Sequence, residues 1–363
     1  MSQQIPVVVL GGSGYVAGEV VRLLAAHPGF ALAAVVSESR IGAPVEEAFP
    51  HLAGTVDGLS FVAFETLGEV FAAAASASNP PRCALVSAAP HGASAALVAR
   101  AIELAGNAGV DLAVVDLSAD FRFADAAEYA AVYGHPHPAP ELLPRFARAL
   151  PEHARGADAT RFVAHPGCFT TAVLLAVVPL LAGEWAEPRF AVTAITGSTG
   201  SGRGLSDKTH HPARRSNVAA YSPLAHRHAP EMAALAGLAA GVRPEIDFVP
   251  LSGPQARGIY ATVHGRLAAP RRGTTAAEVT AALAHFYAGS PFVAVGGAAP
   301  ALTEVVGTNR ARIGVACAGE SLALTVAIDH LVKGAAGGGV QWLNRIFGFD
   351  EASGLRAASL GWF

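Results

Sequence analysis

Of the chain's three cysteines, Cys83, Cys168 and Cys317, one stands where chemistry would want it. Cys168 lies in His165-Pro166-Gly167-Cys168-Phe169-Thr170-Thr171, after the apolar run 161–164 and before a helix-like run over 172–181. A thiol placed where a strand gives way to a helix meets unpaired backbone N–H groups and the positive end of the helix dipole. Both stabilise the thiolate, which is the form that attacks carbon. Such a nucleophile needs a proton-transfer partner, and His226-Arg227-His228-Ala229-Pro230-Glu231 offers two histidines. Read as extended chain, residues 226–228 point both histidines one way and Arg227 the other, with Pro230 suited to the first turn of a helix.

A second chemistry is written at the other end. Residues 5–10 form a β-rich run, and Gly11, Gly14 and Ala17 then occupy the G-x-x-G-x-x-G/A spacing, with Ser13 in the turn. Glycines there let a backbone approach a pyrophosphate held at the next helix N-terminus, which predicts a dinucleotide site. The second strand ends in Ser37-Glu38-Ser39-Arg40, where the adenosine ribose is normally met. An acidic residue suits the 2′-OH of NAD; hydroxyls and an arginine suit the extra phosphate of NADP. Ser37 and Arg40 favour NADP(H), against the single carboxylate of Glu38.

These groups need a frame. Further β-like runs at 60–64, 83–87 and 112–116 alternate with helical runs, the pattern of a doubly wound parallel sheet. Two strand ends look functional: Ala89-Pro90-His91-Gly92, and Asp116 to Arg122, whose guanidinium fork suits a substrate carboxylate or a bridge to Asp120. From residue 245 on the alternation has ended, and strand-like runs with one helical run over 275–288 predict an α+β domain carrying a mainly antiparallel sheet. The glycine- and hydroxyl-rich loop 197–204, with Ser198, Gly200 and Arg203, can wrap a ligand by its amides or serve as a linker. The basic stretch 208–215 suits an anionic ligand or a solvated loop. His135 and His137 are separated by proline, so 129–151 reads as an ordered loop without a metal site.

At 363 residues two domains are expected, and a net charge of −3 removes any basic surface for nucleic acid or anionic membrane, leaving a small-molecule substrate. Three scattered cysteines, no basic leader and no bilayer-length apolar run predict a cytoplasmic protein without a disulfide framework. Together the parts predict an acyl phosphate attacked by Cys168 to give a thioester, which a nicotinamide cofactor then reduces to an aldehyde.

The ordered motifs G-x-S-G-Y at 11–15, D-L-S-A-D-F-R at 116–122, H-P-G-C at 165–168, H-R-H-x-P-E at 226–231, G-T-N at 307–309 and L-V-K-G-A-A-G at 331–337 resemble the N-acetyl-γ-glutamyl-phosphate reductases of arginine biosynthesis. The similarity runs nearly end to end. It implies a Rossmann domain over 1–164, completed by the C-terminal helix of 330–363, and an inserted catalytic and oligomerisation domain over 165–329. It implies Cys168 as nucleophile, His228 or His226 as acid–base with His228 preferred, and a homodimer or homotetramer. Cofactor contacts are expected at Gly11, Ser13, Gly14, Tyr15, Ser37, Arg40, Pro90, Ser198, Gly200 and Asn309, and substrate contacts at Arg122, His91, Arg203 and Arg227. Two departures stand out: His165 replaces the family's asparagine before P-G-C, and His330 replaces the asparagine of D-N-L-V-K-G. The segment 209–214 resembles a branch acting on glutamyl or aminoadipyl phosphates carried by a protein, which is the alternative. A cysteine acyl hydrolase and a nucleotide-sensing protein that binds without turnover are the readings from other classes.

Overall fold

The computed structural model describes residues 4–77, 79–154 and 160–361. The chain divides into two units, one of Met1–Arg148, Gly156–His165 and Ala336–Leu355, the other of Ala149–Arg155, Pro166–Ala335 and Arg356–Phe363.

The first unit is built on β1 (Ile5–Leu10), β2 (Phe30–Val36), β3 (Phe61–Val62), β4 (Arg82–Ser87), β5 (Asp111–Asp116), β6 (Ala147–Arg148) and β7 (Phe162–Ala164). They form one seven-stranded sheet in the order β3-β2-β1-β4-β5-β7-β6, with every pairing parallel. The central strands read as unbroken apolar runs because helices cover both faces; Val7 to Leu10 and Ala84 to Leu85 are fully buried. The order steps outward both ways from β1 and β4, so their ends carry the crevice where such sheets bind ligands. The helix Gly337–Phe347 packs against β5 and against the helix Tyr15–Ala25. Its glycine run serves contact: a Cβ on Gly339 would stand 3.1 Å from Leu117, and one on Gly338 would strike the buried ring of His165.

The second unit carries β8 (Arg189–Thr196), β9 (Ala219–Ala220), β10 (Glu245–Ser252), β11 (Ile259–Arg266), β12 (Val293–Gly296), β13 (Ala311–Ala318) and β14 (Ser321–Ile328), in the order β12-β13-β14-β11-β8-β10-β9. Only β8·β10 and β12·β13 run parallel. At its centre lies the helix Cys168–Ala182, every residue of which from Phe169 to Leu181 is buried. It packs on β11 and β14 and on the helices His228–Ala240 and Ala276–Phe286. A helix apolar on all sides is stable only when surrounded, so burial fixes where its N-terminus points.

Two expectations are corrected here. Residues 226–228 are not extended: Arg227 adopts the helical region (φ −56°, ψ −20°) and the helix starts at His228. The run 331–347 is not one α-helix, since Val332–Ala336 forms a π turn before the α-helix starts at Gly337. Asp329 imposes that turn by accepting from the N–H groups of Leu331 (2.8 Å) and Val332 (3.1 Å), while its carbonyl takes the N–H of Gly334.

Candidate active site

Cys168 is the first residue of its helix, half-buried, with Gly167 as an N-cap that brings no side-chain acceptor. The first-turn N–H groups therefore face the thiol without a capping oxygen between them. Behind the sulfur-bearing residue the wall is backbone: a Cβ on Gly334 would come within 2.7 Å of the Cys168 Cβ, so the π turn can sit there only as glycine. The other two thiols lack such a setting. Burial pushes Cys83 up to about 12 and also raises Cys317, so at both positions the surroundings disfavour the thiolate.

Glu231, fully buried in the first turn of the helix His228–Ala240, accepts the N–H of Gly167 at 2.7 Å. One carboxylate thus ties the histidine-bearing helix to the residue before the nucleophile. The His226 and His228 rings stand edge to face with centroids 4.8 Å apart, and Phe169 packs against both. The N–H of His228 donates to Nδ1 of His226 (3.1 Å), so the proton of a neutral His226 ring lies on Nε2. Burial, reinforced by the neighbouring Arg227 charge, pulls His226 down to about 4 and keeps it neutral.

Cys168, both histidines, Thr196, Gly200, Lys208, Arg214, Tyr221 and Arg227 line a cavity of about 780 Å³ within the second unit. Burial raises Tyr221 above the ordinary phenol range, the charge of Cys168 raises it further, and Arg214 and Arg227 pull the other way. Thiol, phenol and guanidinium groups therefore share one electrostatic environment. Beside Gly200, outside the lining itself, stands His330: Nδ1 accepts the N–H of Gly258 (3.1 Å) and Nε2 lies 2.9 Å from the Thr199 hydroxyl, which donates onward to the Ala256 carbonyl. That is the structural use of one family departure; the other, His165, is a fully buried ring beneath Gly338.

In the first unit the glycine turn follows β1. Gly11 has φ +72°, and a Cβ there would strike the backbone of Ala88 and Ala89, so this position demands glycine. Gly14 is the N-cap of the helix Tyr15–Ala25, with no atom nearer its missing Cβ than the Gly11 carbonyl at 3.8 Å. That opening is the space a phosphate needs over a helix N-terminus, and the residues present fit a dinucleotide. Ser13 and Tyr15 flank it. Ser37 and Ser39 bring their hydroxyls within 3.4 Å after β2, whereas Glu38 is committed elsewhere, accepting the N–H of Phe64 at 2.8 Å.

The remaining sites divide. Pro90 and His91 follow β4, and His91 Nδ1 accepts the N–H of Ala119 (2.9 Å). Arg122 is 5% exposed, donating from Nε to the His165 carbonyl and from Nη2 to that of Leu117, so it braces the chain before the cysteine. Of the loop residues expected at the cofactor, Gly200 lines the Cys168 cavity, and Ser198 opens the same 3₁₀ turn, Ser198–Ser201. Asn309 is buried before β13, and Arg203 is exposed outside the cavity lining. Arg214, read only as part of a basic stretch, proves buried, and Glu231, Tyr221 and Gly334 were not singled out as site residues. The i, i+3 spacing of His228 and Glu231 on one helix was the signal available for Glu231.

Residues 6–145 match the family model described as semialdehyde dehydrogenase, NAD binding domain, and residues 168–330 match semialdehyde dehydrogenase, dimerisation domain. The chain is 38% identical to N-acetyl-gamma-glutamyl-phosphate reductase of Pseudomonas entomophila, over 98% of this chain and 99% of the relative. It is equally 38% identical to the reductase of that name from Azotobacter vinelandii, over 97% and 98% of the two chains. An Aeropyrum pernix protein named for reducing LysW-linked 2-aminoadipate or glutamate phosphate is 34% identical over 99% of each chain. Aspartate semialdehyde dehydrogenase II of Vibrio cholerae superposes with a TM-score of 0.69 at 16% identity, covering 95% of this chain and 99% of that one, which shows the fold. With both family models matched in order and such identity across its length, the chain belongs to the N-acetyl-γ-glutamyl-phosphate reductase family of aldehyde-forming oxidoreductases.

Proposed function

We propose that this chain reduces N-acetyl-γ-glutamyl phosphate to N-acetylglutamate 5-semialdehyde and phosphate, with NADPH as reductant and a thioester on Cys168 as intermediate. The observation that carries the reading is a half-buried thiol at the start of a buried helix, on one cavity wall with two histidines. Cys168 as thiolate attacks the acyl carbon and phosphate departs. A thioester is needed because its carbonyl is more electrophilic than a carboxylate and its thiolate leaves when the tetrahedral adduct collapses. NADPH, held by Gly11 to Tyr15 and by Ser37 and Arg40, supplies the hydride when bound. The first-turn N–H groups steady the oxyanion. His228 serves as the acid–base: it starts its helix, tied through Glu231 to Gly167, while His226 is neutral and spends Nδ1 on the His228 N–H.

The preference for NADPH is supported by charge. With Glu38 held by Phe64, the half-buried Arg40 is the group left for a 2′-phosphate, and its side chain has no partner among the described residues. The test is the reverse reaction, with N-acetylglutamate 5-semialdehyde, phosphate and NADP⁺ or NAD⁺. Reduction of NADP⁺ that requires phosphate and is lost in Cys168→Ser supports the reading; phosphate release from the acyl phosphate with no change in the nicotinamide band would replace it with a hydrolase. The Aeropyrum relative supports a second substrate class, acyl phosphates borne on a carrier protein, because Lys208 and Arg215 are exposed on the basic stretch. Turnover of the free acetylated substrate at micromolar KM removes that class.

A further inference from the structure

Arg214 ends the short helix His211–Arg214 and is 8% exposed, yet it lines the Cys168 cavity. Its one side-chain hydrogen bond among the described residues runs from Nη2 to the Thr196 carbonyl (3.1 Å), and Nε is buried without an acceptor. No carboxylate lies within ion-pair range of it among the described residues, although Asp207 lines the same cavity. A desolvated cation without a counter-ion is costly, and folds retain one where a ligand brings the missing charge. Burial lowers the pKa of Arg214, offset only by Tyr221, yet an arginine stays charged.

We infer that Arg214 is the specificity-determining anchor for the α-carboxylate of the acyl substrate, taken in the planar fork while the far end of the substrate meets Cys168. This rests on the reductase reading above. Of the two anions on such a substrate, the phosphate must leave during each turnover, whereas the α-carboxylate persists from substrate to product. A buried cation suits the charge that stays. Lys208 and Arg227, exposed on the same cavity, suit the charge that must escape to solvent. The fork geometry also selects carboxylate over an uncharged amide, because two parallel charge-assisted bonds are lost together.

The experiment compares N-acetylglutamate 5-semialdehyde with its α-carboxamide in the reverse reaction, using wild type, Arg214→Gln and Arg214→Lys. Wild type should prefer the carboxylate in kcat/KM by about 100-fold. Arg214→Gln should raise the aldehyde KM by roughly that factor and cut the preference below about 5-fold, with the phosphate KM unchanged. Arg214→Lys, which keeps the charge and loses the fork, should fall between and serves if the glutamine variant does not fold. Retention of the full preference in both variants, or a rise confined to the phosphate KM, overturns the assignment. If wild type turns over neither aldehyde, the reductase reading fails by itself; calorimetric titration of wild type and Arg214→Lys with both aldehydes then decides Arg214, equal affinities in wild type being the overturning result.

Discussion

Among the described residues of the second unit a lysine and an arginine are buried, and they are treated in opposite ways. Lys333, fully buried in the π turn, is paired with the equally buried Glu152 at 2.5 Å and lies over the ring of Phe292. Arg214, 8% exposed, has among the described residues a single carbonyl partner for its side chain and no carboxylate. Lys333 stands in the same π turn that sets Gly334 behind Cys168; Arg214 stands in front, on the cavity. The contrast separates two uses of buried charge: a pair closed within the protein holds a wall in place, and an open one leaves an opposite charge to arrive from outside. The same split runs through the acids, since Asp329 is enclosed by Arg257 and three backbone N–H groups and never reaches the cavity.

If the cavity side is built for chemistry and the wall for support, substitutions on the two sides should fail differently. Cys168→Ser should lower turnover by about 10⁴-fold or more with little change in the urea-unfolding midpoint, read by steady-state kinetics and denaturation on the same preparation. Glu152→Gln removes the carboxylate charge paired with Lys333 and should cost about 3–5 kcal/mol of stability in the second unit; a midpoint shift near zero would mean that the pair contributes no support. Gly334→Ala lies between the two, because its methyl must displace Cys168. We expect a kcat loss of about 10- to 100-fold and slower alkylation of the thiol by iodoacetamide, with about 1–3 kcal/mol of destabilisation.

The smallest effect concerns pH. His226 titrates near 4 when folded against an ordinary 6.5, so the unfolded chain binds more protons between those values. Stability from this group is complete above about pH 6.5 and is lost as pH falls toward 4. His226→Gln should flatten that loss by roughly 1–2 kcal/mol, discounted for the ring's partial exposure, in unfolding curves recorded from pH 7 to 4. An unchanged acid limb would place the sensitive group elsewhere.

Much of the frame was legible because it repeats a local pattern. The β1 run, its glycine turn and the following helix appear where periodicity puts them, and Cys168 heads a helix as the strand-to-helix change around it suggests. The site was less legible where long-range partners override a local preference. His226 to His228 read as extended, yet Arg227 turns into the helical region and brings the two rings together around Phe169. Arg122 read as a fork for a substrate carboxylate or a bridge to Asp120, and spacing gave no sign of the carbonyls of Leu117 and His165, the latter far along the chain, to which it donates. The π turn was hidden because glycines at 334 and 337–339 lower helix propensity without saying which backbone approaches them.

The sequence alone determined the order of elements, the thiol at a helix start, the glycine turn, the pair of histidines and the family. These depend on residue type and spacing over a few turns of chain, which a linear pattern carries in full. Only the tertiary structure decided which charges are closed and which are open. Glu152 lies 181 residues from Lys333, and Glu231 lies 64 residues from the Gly167 N–H that it accepts. Whether a buried arginine finds such a partner depends on which segments burial brings against it, and no spacing along the chain records that.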